Sequence, residues 1–203
     1  MPHELLDATV AADIVGIPAR SVIAIDGEGE PGSVRFQSAL RAAYGLALSL
    51  ALRRKRDGRG EFAIGPLEGR WWSDQVLPCS RAPRRSWRWT LRIAVPRDVT
   101  KSELSRAVEA VTTKRGGALE RSTEARHARL ERLPRQRVGR ILHVGPYATE
   151  SASLAKIRDE IERHGLVCAD RHVEIYLGDP RRTKPERSRT VLLRELAGTV
   201  PEG

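Results

Sequence analysis

Residues 172–177 read His-Val-Glu-Ile-Tyr-Leu and carry the side chains best suited to chemistry in this chain. Polar and aliphatic residues alternate, which predicts a β-strand whose successive side chains point to opposite faces. His172, Glu174 and Tyr176 therefore share one face, and we expect the aliphatic face to lie beneath the helices. A carboxylate placed in this way could activate a water as a general base or pair with a cationic ligand. An antiparallel sheet can also leave one face in water, in which case Glu174 is only solvated.

Aromatic residues make up only 4% of the chain, and several of them could line a pocket beside this strand. The candidates are Tyr44, Trp71, Trp72, Trp89 and Tyr147. The competing interpretation for each is packing in the core, which we favour for Phe36 and Phe62. Tandem Trp residues beside a glycine are less usual in a core, and they favour a loop that presents an indole to a cleft. Indole and phenol rings bind flat apolar molecules by stacking.

Other chemistries lack the residue spacing that they need. The segment Gly27-Glu-Gly29 is too short for a dinucleotide-binding fingerprint, and the five histidines form no His-x-x-x-His pair. Cys79 and Cys168 lie far apart and outside any Cys-x-x-Cys motif. They predict reduced thiols in a cytoplasmic protein rather than a disulfide or a metal site. We therefore expect no cofactor and no metal.

The elements that must position these residues occur twice along the chain. A strand, a Gly/Pro turn, a helix, a strand, a loop and a further strand run from Ser21 to Val95 and again from Val138 to Glu195. In the first half, Ser33 caps a helix that ends near Arg54, and residues 61–67 form the next strand. The pattern predicts an α+β fold of duplicated βαββ units that form an antiparallel sheet, with helices packed on one side and a central ligand cleft.

Length and composition favour a single globular domain, because 203 residues with 40% hydrophobic content can bury a sizeable core. We assign residues 1–19 to an N-terminal lead-in and residues 20–203 to the domain. Its two pseudo-repeats cover about 20–97 and 136–197. Residues 73–86, rich in Arg and Pro, are predicted to form a loop.

The net charge of +10 raises the question of nucleic-acid binding. Only five of the 36 cationic residues are lysines, and the arginine clusters are scattered along the chain at helix ends and in loops. No helix-turn-helix, RNP or zinc-finger spacing accompanies them. We expect a solvated basic surface without specific nucleic-acid binding. No apolar run is long enough to span a membrane and no secretory signal is visible, so the expected compartment is the cytoplasm.

Four segments carry a resemblance to a known family. They are Ala24-Ile-Asp-Gly-Glu-Gly-Glu-Pro31, Pro66-Leu-Glu-Gly-Arg-Trp-Trp72, Ile141-Leu-His-Val-Gly-Pro-Tyr147 and Glu174-Ile-Tyr-Leu-Gly-Asp-Pro-Arg-Arg-Thr183. Together they make the chain similar to the stand-alone GyrI-like proteins, whose domain also serves as the effector-binding half of drug-sensing transcription regulators. The resemblance implies the duplicated fold, a hydrophobic cleft between the halves and a buried acidic residue that matches Glu174. The implied ligands are planar and hydrophobic, and often cationic.

The Leu-Glu-Gly-x-Trp segment is similar to the branch of cyclopropanoid cyclopropyl hydrolases, which add water to the strained ring of DNA-alkylating natural products. Trp71 fits that branch, and Trp89 and Tyr147 fall where its aromatic cage is expected. The long loop at 73–86 departs from it. The resemblance implies a hydrolase. The residues fit this chemistry, because a Glu174 desolvated by an aromatic slot could act as general base through one water, and Tyr147 or Tyr176 could donate a hydrogen bond to the developing oxyanion. The runner-up is a non-catalytic drug-binding or gyrase-inhibitor-type protein, and the oligomeric state is left open.

Overall fold

The computed structural model describes residues 3–73, 83–113, 119–178 and 183–197. The chain forms two compact units. Unit 1 comprises Met1–Ala19, Pro66–Ala82 and Pro134–Gly203, and unit 2 comprises Arg20–Gly65 and Pro83–Leu133. Most of the predicted 73–86 loop, and Cys79 with it, lies outside the described residues.

Among its described residues, unit 1 has two helices and five strands. They are α1 (His3–Leu6), β1 (Asp13–Ile17), β3 (Glu68–Ser73), β6 (Gln136–Val144), α5 (Glu150–Arg163), β7 (Cys168–Tyr176) and β8 (Arg189–Leu196). The strands lie in the order β1-β6-β8-β7-β3, and every pair is antiparallel. A single 3₁₀ turn, Tyr147–Thr149, joins β6 to α5.

The sheet of unit 1 is covered on both faces. On one face, apolar residues of β6, β7 and β8 pack with Leu5, Ala8 and Ile17 from the N-terminal segment. On the other face, Ile141 and Leu192 pack beneath α5. Gly139 lets the helix approach, because a Cβ built there would lie 2.4 Å from the Ile157 side chain.

This arrangement corrects two expectations from the sequence. Val173 and Ile175 pack with the N-terminal segment rather than beneath α5. The Glu174 face is the one that α5 covers, because Glu174 is paired with Leu192 and opposite residues of antiparallel strands share a face. Alternation shows which residues share a face, but it does not show which face receives a helix. The N-terminal residues form strand β1 and contribute core side chains.

Unit 2 has three strands and three helices among its described residues. They are β2 (Arg20–Glu28), α2 (Val34–Arg56), β4 (Trp87–Val95), α3 (Lys101–Thr113), α4 (Leu119–Arg126) and β5 (Arg129–Leu133). The antiparallel strands lie in the order β4-β2-β5. Helix α2 packs on β2 and β4 and also contacts α3 and α4. The predicted cap is confirmed, since the Ser33 hydroxyl accepts a hydrogen bond from the Phe36 amide at 3.2 Å.

The strand predicted at residues 61–67 is wrong. Those residues have no regular structure, and strand β3 begins only at Glu68. Pro66 explains the late start, because proline has no backbone N–H to donate to a strand ladder. Although β3 belongs to the first repeat by sequence, it pairs with β7 of the second.

The α+β class and the antiparallel pairing are confirmed in both units. Each unit contains a corresponding strand pair, β2–β4 or β6–β8, that carries a helix, α2 or α5. Of the helices formed by the described residues, none is long and apolar enough to cross a membrane.

Candidate functional site

Glu174 is the centre of a buried hydrogen-bonded chain in unit 1. Its Oε1 lies 3.0 Å from His172 Nε2, and its Oε2 accepts a hydrogen bond from the Tyr176 hydroxyl at 2.7 Å. The Trp71 indole N–H donates to the same hydroxyl at 3.3 Å. Glu174 as a whole residue is only 7% exposed. The donors fix both of its oxygens in a site that is largely shielded from bulk water.

The register between β3 and β7 explains why these residues meet. Gly69 is paired with Glu174, and Trp71 is paired with His172. Because Gly69 has no Cβ, the Trp71 and Tyr176 side chains can cross above it. A Cβ built at Gly69 would lie 2.9 Å from Trp71 Nε1 and 3.0 Å from the Tyr176 hydroxyl oxygen. The glycine of the Leu-Glu-Gly-x-Trp segment thus has a steric role in the site.

Gly69→Ala is expected to disturb the site more than the fold. The added methyl group would push against the Trp71–Tyr176 hydrogen bond, so the Tyr176 hydroxyl should move away from Glu174. We expect ligand affinity to fall about tenfold, or about 1.4 kcal/mol, while the melting temperature changes by only a few degrees. Tryptophan fluorescence titration measures the affinity. Gly16→Ala is the matched control, because a Cβ at Gly16 meets no heavy atom within 4 Å.

Two tyrosines stand next to the carboxylate. The ring of Tyr147, in the turn before α5, packs edge-on against Tyr176 with centroids 6.1 Å apart. Burial and, to a smaller extent, the charges of Glu174 and Glu150 raise the pKa of Tyr147 to about 12. Burial and Glu174 also raise the pKa of Tyr176. Both phenols therefore keep their protons at neutral pH; Tyr176 donates its proton to Glu174, and Tyr147 is available as a donor to a ligand.

A buried histidine holds the turn that carries Tyr147. His143 Nε2 lies 3.2 Å from the Pro146 carbonyl oxygen, and its Nδ1 lies 3.0 Å from the Ser153 hydroxyl. The imidazole therefore connects the end of β6 to both the turn and the first turns of α5. This contact fixes the start of the helix relative to the sheet.

Glu150 is a site residue that the sequence analysis missed. It is the first residue of α5, it is 7% exposed, and its Oε1 has no hydrogen-bond partner among the described residues. Burial, and then the charge of Glu174, raises the pKa of Glu150 to about 9. Glu150 is therefore neutral at pH 7. In a sequence it resembles an ordinary acid at a helix N-terminus, where the helix dipole favours an anion.

Glu150→Gln is expected to stabilise the protein. The unfolded chain loses this proton near the ordinary value of 4.5, whereas the folded protein keeps it up to about pH 9. Because the folded pKa is the higher one, Glu150 lowers the stability increasingly as the pH rises through that interval. Glutamine removes the penalty, so at pH 7 we expect a gain of about 1–3 kcal/mol.

Urea unfolding at pH 5 and pH 8 checks this prediction, and the gain should be larger at pH 8. Glu162→Gln makes the same change at an exposed position of α5 and should leave the stability unchanged at both pH values. A Glu150→Gln variant that is less stable than wild type at pH 8 would contradict the assigned environment of Glu150.

The structure does not bring all predicted ligand residues to this cluster. Strand alternation places Trp72 on the face of β3 opposite Trp71, where the Arg70 guanidinium lies 5.8 Å from its ring centroid. Tyr44 and Trp89 belong to unit 2. Tyr44 lies on the exposed side of α2, and Trp89 is fully buried and packs edge-on against Phe36. The ligand roles of these residues stay predictions.

Across the described part of the chain, no group of three or more His, Cys, Asp or Glu residues could hold a metal ion.

Comparisons with known proteins give structural relatives only. No family model matches the chain, and no curated protein matches it. An uncharacterized conserved protein from Listeria innocua has a similar structure, with a TM-score of 0.84, 26% identity and coverage of 96% of both chains. A hydrolase from Listeria innocua matches with a TM-score of 0.81 and 26% identity, covering 96% of this chain and 95% of its own. The C-terminal domain of EcmrR, at 11% identity and a TM-score of 0.55, covers 93% of this chain and 98% of its own and shares the fold. The structural relatives thus include a hydrolase.

Proposed function

We propose that this protein is a GyrI-like hydrolase that binds planar hydrophobic xenobiotics and opens the cyclopropane ring of DNA-alkylating natural products. Such a reaction would detoxify the alkylator, because the strained ring is the group that reacts with DNA. The observation that carries the proposal is the buried Glu174 carboxylate, held by His172 and Tyr176 beside the Trp71 and Tyr147 rings. The hydrolase among the structural relatives supports the same reaction class.

The chemistry needs one activated water and one place for negative charge. In a cyclopropane conjugated to a dienone, the water oxygen attacks the ring methylene and the strained C–C bond breaks. The electron pair of that bond moves through the dienone to its carbonyl oxygen, which takes a proton and becomes a phenol. Glu174 takes the proton that the water loses. A general base in such a position typically contributes about 10²–10⁴-fold to the rate.

Unit 1 supplies the other requirements from the same cluster. The edges and faces of Trp71, Tyr147 and Tyr176 offer an apolar wall for a flat ligand. The Tyr147 hydroxyl, which is protonated at neutral pH, can donate to the carbonyl oxygen as it gains charge, whereas the Tyr176 proton is already donated to Glu174. Hydrogen bonds from His172 and Tyr176 keep Glu174 in one orientation, which lowers the cost of positioning the water.

A non-catalytic drug-binding function is the second candidate, and one observation favours it. Both oxygens of Glu174 already have hydrogen-bonding partners, so the carboxylate could act as a fixed counter-charge for a cationic ligand. The aromatic rings would then add cation–π contacts. Under this proposal Glu174→Gln should weaken the binding of cationic dyes and leave the binding of neutral ones unchanged.

The proposal is tested by incubating the wild-type protein with a spirocyclopropane-dienone alkylator at neutral pH. Chromatography follows the appearance of the ring-opened alcohol. We expect ring opening at least about tenfold faster than in buffer, equivalent to a barrier lowered by about 1.4 kcal/mol. Glu162→Gln should match wild type, because Glu162 is exposed on α5. If the alkylator binds but its ring opens no faster than in buffer, the hydrolase function is excluded and the drug-binding function remains.

A further inference from the structure

We propose that Glu150 is the proton donor of this site, and that its carboxyl group donates to an acceptor oxygen of the ligand and protonates that oxygen as the ring opens. This inference rests on the proposed hydrolase function. It assigns separate roles to the two buried glutamates of unit 1: Glu174 removes a proton from water and Glu150 supplies one to the product.

The first support is the unfilled hydrogen-bonding capacity of Glu150. More than nine-tenths of the residue is buried, yet its Oε1 has no partner among the described residues. A buried polar atom without a partner costs free energy, and proteins rarely keep one without a reason. By contrast, both oxygens of Glu174 are hydrogen-bonded. The unpartnered atom therefore points to a group that binds from outside the chain.

The second support is the electrostatic setting of Glu150. The titratable groups around it are Glu174 and Tyr176 on β7, with His172 further along the same face, Tyr147 in the preceding turn, and His143 on β6. Arg194, on the same face of β8 as Leu192, donates to the Ala169 carbonyl oxygen at 3.0 Å.

Burial and Glu174 raise the pKa of Glu150 to about 9, so the proton is present at neutral pH. A carboxyl group that keeps its proton at neutral pH is suited to act as a general acid.

The position of Glu150 is also well supported by the fold. It begins α5, and the contacts of His143 with Pro146 and Ser153 fix this end of the helix to β6. A donor on a rigid helix end can hold the ligand oxygen in one place. Glu150 and Glu174 lie on one side of the sheet, since α5 covers the Glu174 face.

The proton balance of the reaction closes with these two residues. Water loses one proton to Glu174 as its oxygen bonds to the methylene carbon. The C–C electron pair reaches the carbonyl oxygen, which receives the Glu150 proton and becomes a phenol. Glu174 is then protonated and Glu150 ionised, and transfer of one proton from Glu174 to Glu150 through solvent restores the starting state. The net reaction adds one water to the ligand.

This assignment narrows the class of ligand. A neutral carboxyl group binds a hydrogen-bond acceptor, whereas a cation would need Glu150 to lose its proton first. The preferred substrates should therefore be neutral planar molecules with a carbonyl oxygen conjugated to the strained ring. Cationic analogues of the same shape should bind more weakly at neutral pH than at pH 9, where Glu150 begins to ionise.

The test compares wild type with Glu150→Gln on a spirocyclopropane-dienone substrate. Glutamine keeps a hydrogen-bond donor but cannot release a proton, so we expect KM to change by less than about threefold and kcat to fall by about 10²-fold. The kcat/KM of wild type should decline above about pH 9, and that decline should be absent in the variant. Glu162→Gln, the same substitution at an exposed site on the same helix, should reproduce the wild-type profile.

An infrared difference spectrum between wild type and Glu150→Gln at pH 7 adds a readout that is independent of turnover. We expect the carbonyl band of a protonated carboxylic acid in wild type and its loss in the variant.

If the band is missing in wild type, or if the variant keeps the wild-type kcat and the decline of kcat/KM above about pH 9, Glu150 is not the donor and the hydrolase proposal still stands. If wild type itself opens no ring above buffer, the hydrolase function fails and the donor role fails with it. Unfolding cannot mimic the expected result, because the variant should be the more stable protein.

Discussion

Glu174→Gln is expected to slow ring opening by about 10²–10⁴-fold while the protein still binds the alkylator. Glutamine has nearly the shape of glutamate; its amide oxygen can accept from Tyr176 while its NH2 group donates to His172 Nε2 in the other tautomer, but it cannot accept the proton of the attacking water. The loss should therefore appear in kcat rather than in KM, because the removed interaction operates in the transition state. Chromatography of the alcohol product measures kcat, and quenching of tryptophan fluorescence measures binding.

The matched control for this substitution is Glu195→Gln. Glu195 is also a glutamate of the unit 1 sheet, but it binds Arg70 at 2.9 Å on the opposite face. This control should retain wild-type turnover even if it loses some stability. Unchanged turnover in Glu174→Gln would remove Glu174 from the mechanism. Equal loss in both variants would indicate damage to the sheet rather than to the catalytic base.

The geometry around Glu174 was largely predictable from the sequence, because strand alternation is a strict rule. It placed His172, Glu174 and Tyr176 on one face, and the structure joins all three by hydrogen bonds. Strand alternation could not predict the contact of Trp71 with Tyr176. That contact depends on the register between β3 and β7 and on the absence of a Cβ at Gly69. Pairing between distant strands leaves no local signal in the sequence.

Glu150 shows a different limit of sequence reasoning. Its position in the first turn of a helix is the one that ordinary surface acids also prefer. Two features distinguish Glu150 from such surface acids: the burial of this helix end and the nearby charge of Glu174. Both depend on how α5 lies on the sheet. A glutamate close after the Gly-Pro-Tyr turn is the signal that could have suggested it.

The role of the N-terminal residues was also outside the reach of pattern analysis. Their apolar side chains, such as Leu5 and Ile17, fall in short clusters that follow neither the period of a long helix nor that of a long strand. In the structure they cover the face of the unit 1 sheet that carries Val173 and Ile175. A sheet buried on both faces requires such a cover, but alternation alone does not say which segment provides it.

Trp89→Ala is expected to destabilise the protein by about 3–5 kcal/mol, as is usual for truncation of a large aromatic side chain in a core. Trp89 is fully buried in unit 2, and its ring packs edge-on against Phe36 with centroids 5.4 Å apart. The ring also lies directly over Gly27, where an added Cβ would come within 2.1 Å of it. Alanine would leave a cavity across β2, β4 and α2 that these backbone elements cannot close.

Urea unfolding measures this loss, and Trp87→Ala is the matched control. Trp87 starts the same strand on the same face, but it is only half-buried and stacks with the Arg84 guanidinium at 5.7 Å, so its truncation should cost clearly less. The result decides how binding data for Trp89 are to be interpreted. If Trp89→Ala loses several kcal/mol, weaker ligand binding by that variant reflects a damaged core as much as a lost contact. If Trp89→Ala unfolds like wild type and yet fails to quench with planar dyes, the indole serves the ligand, as the predicted aromatic cage requires.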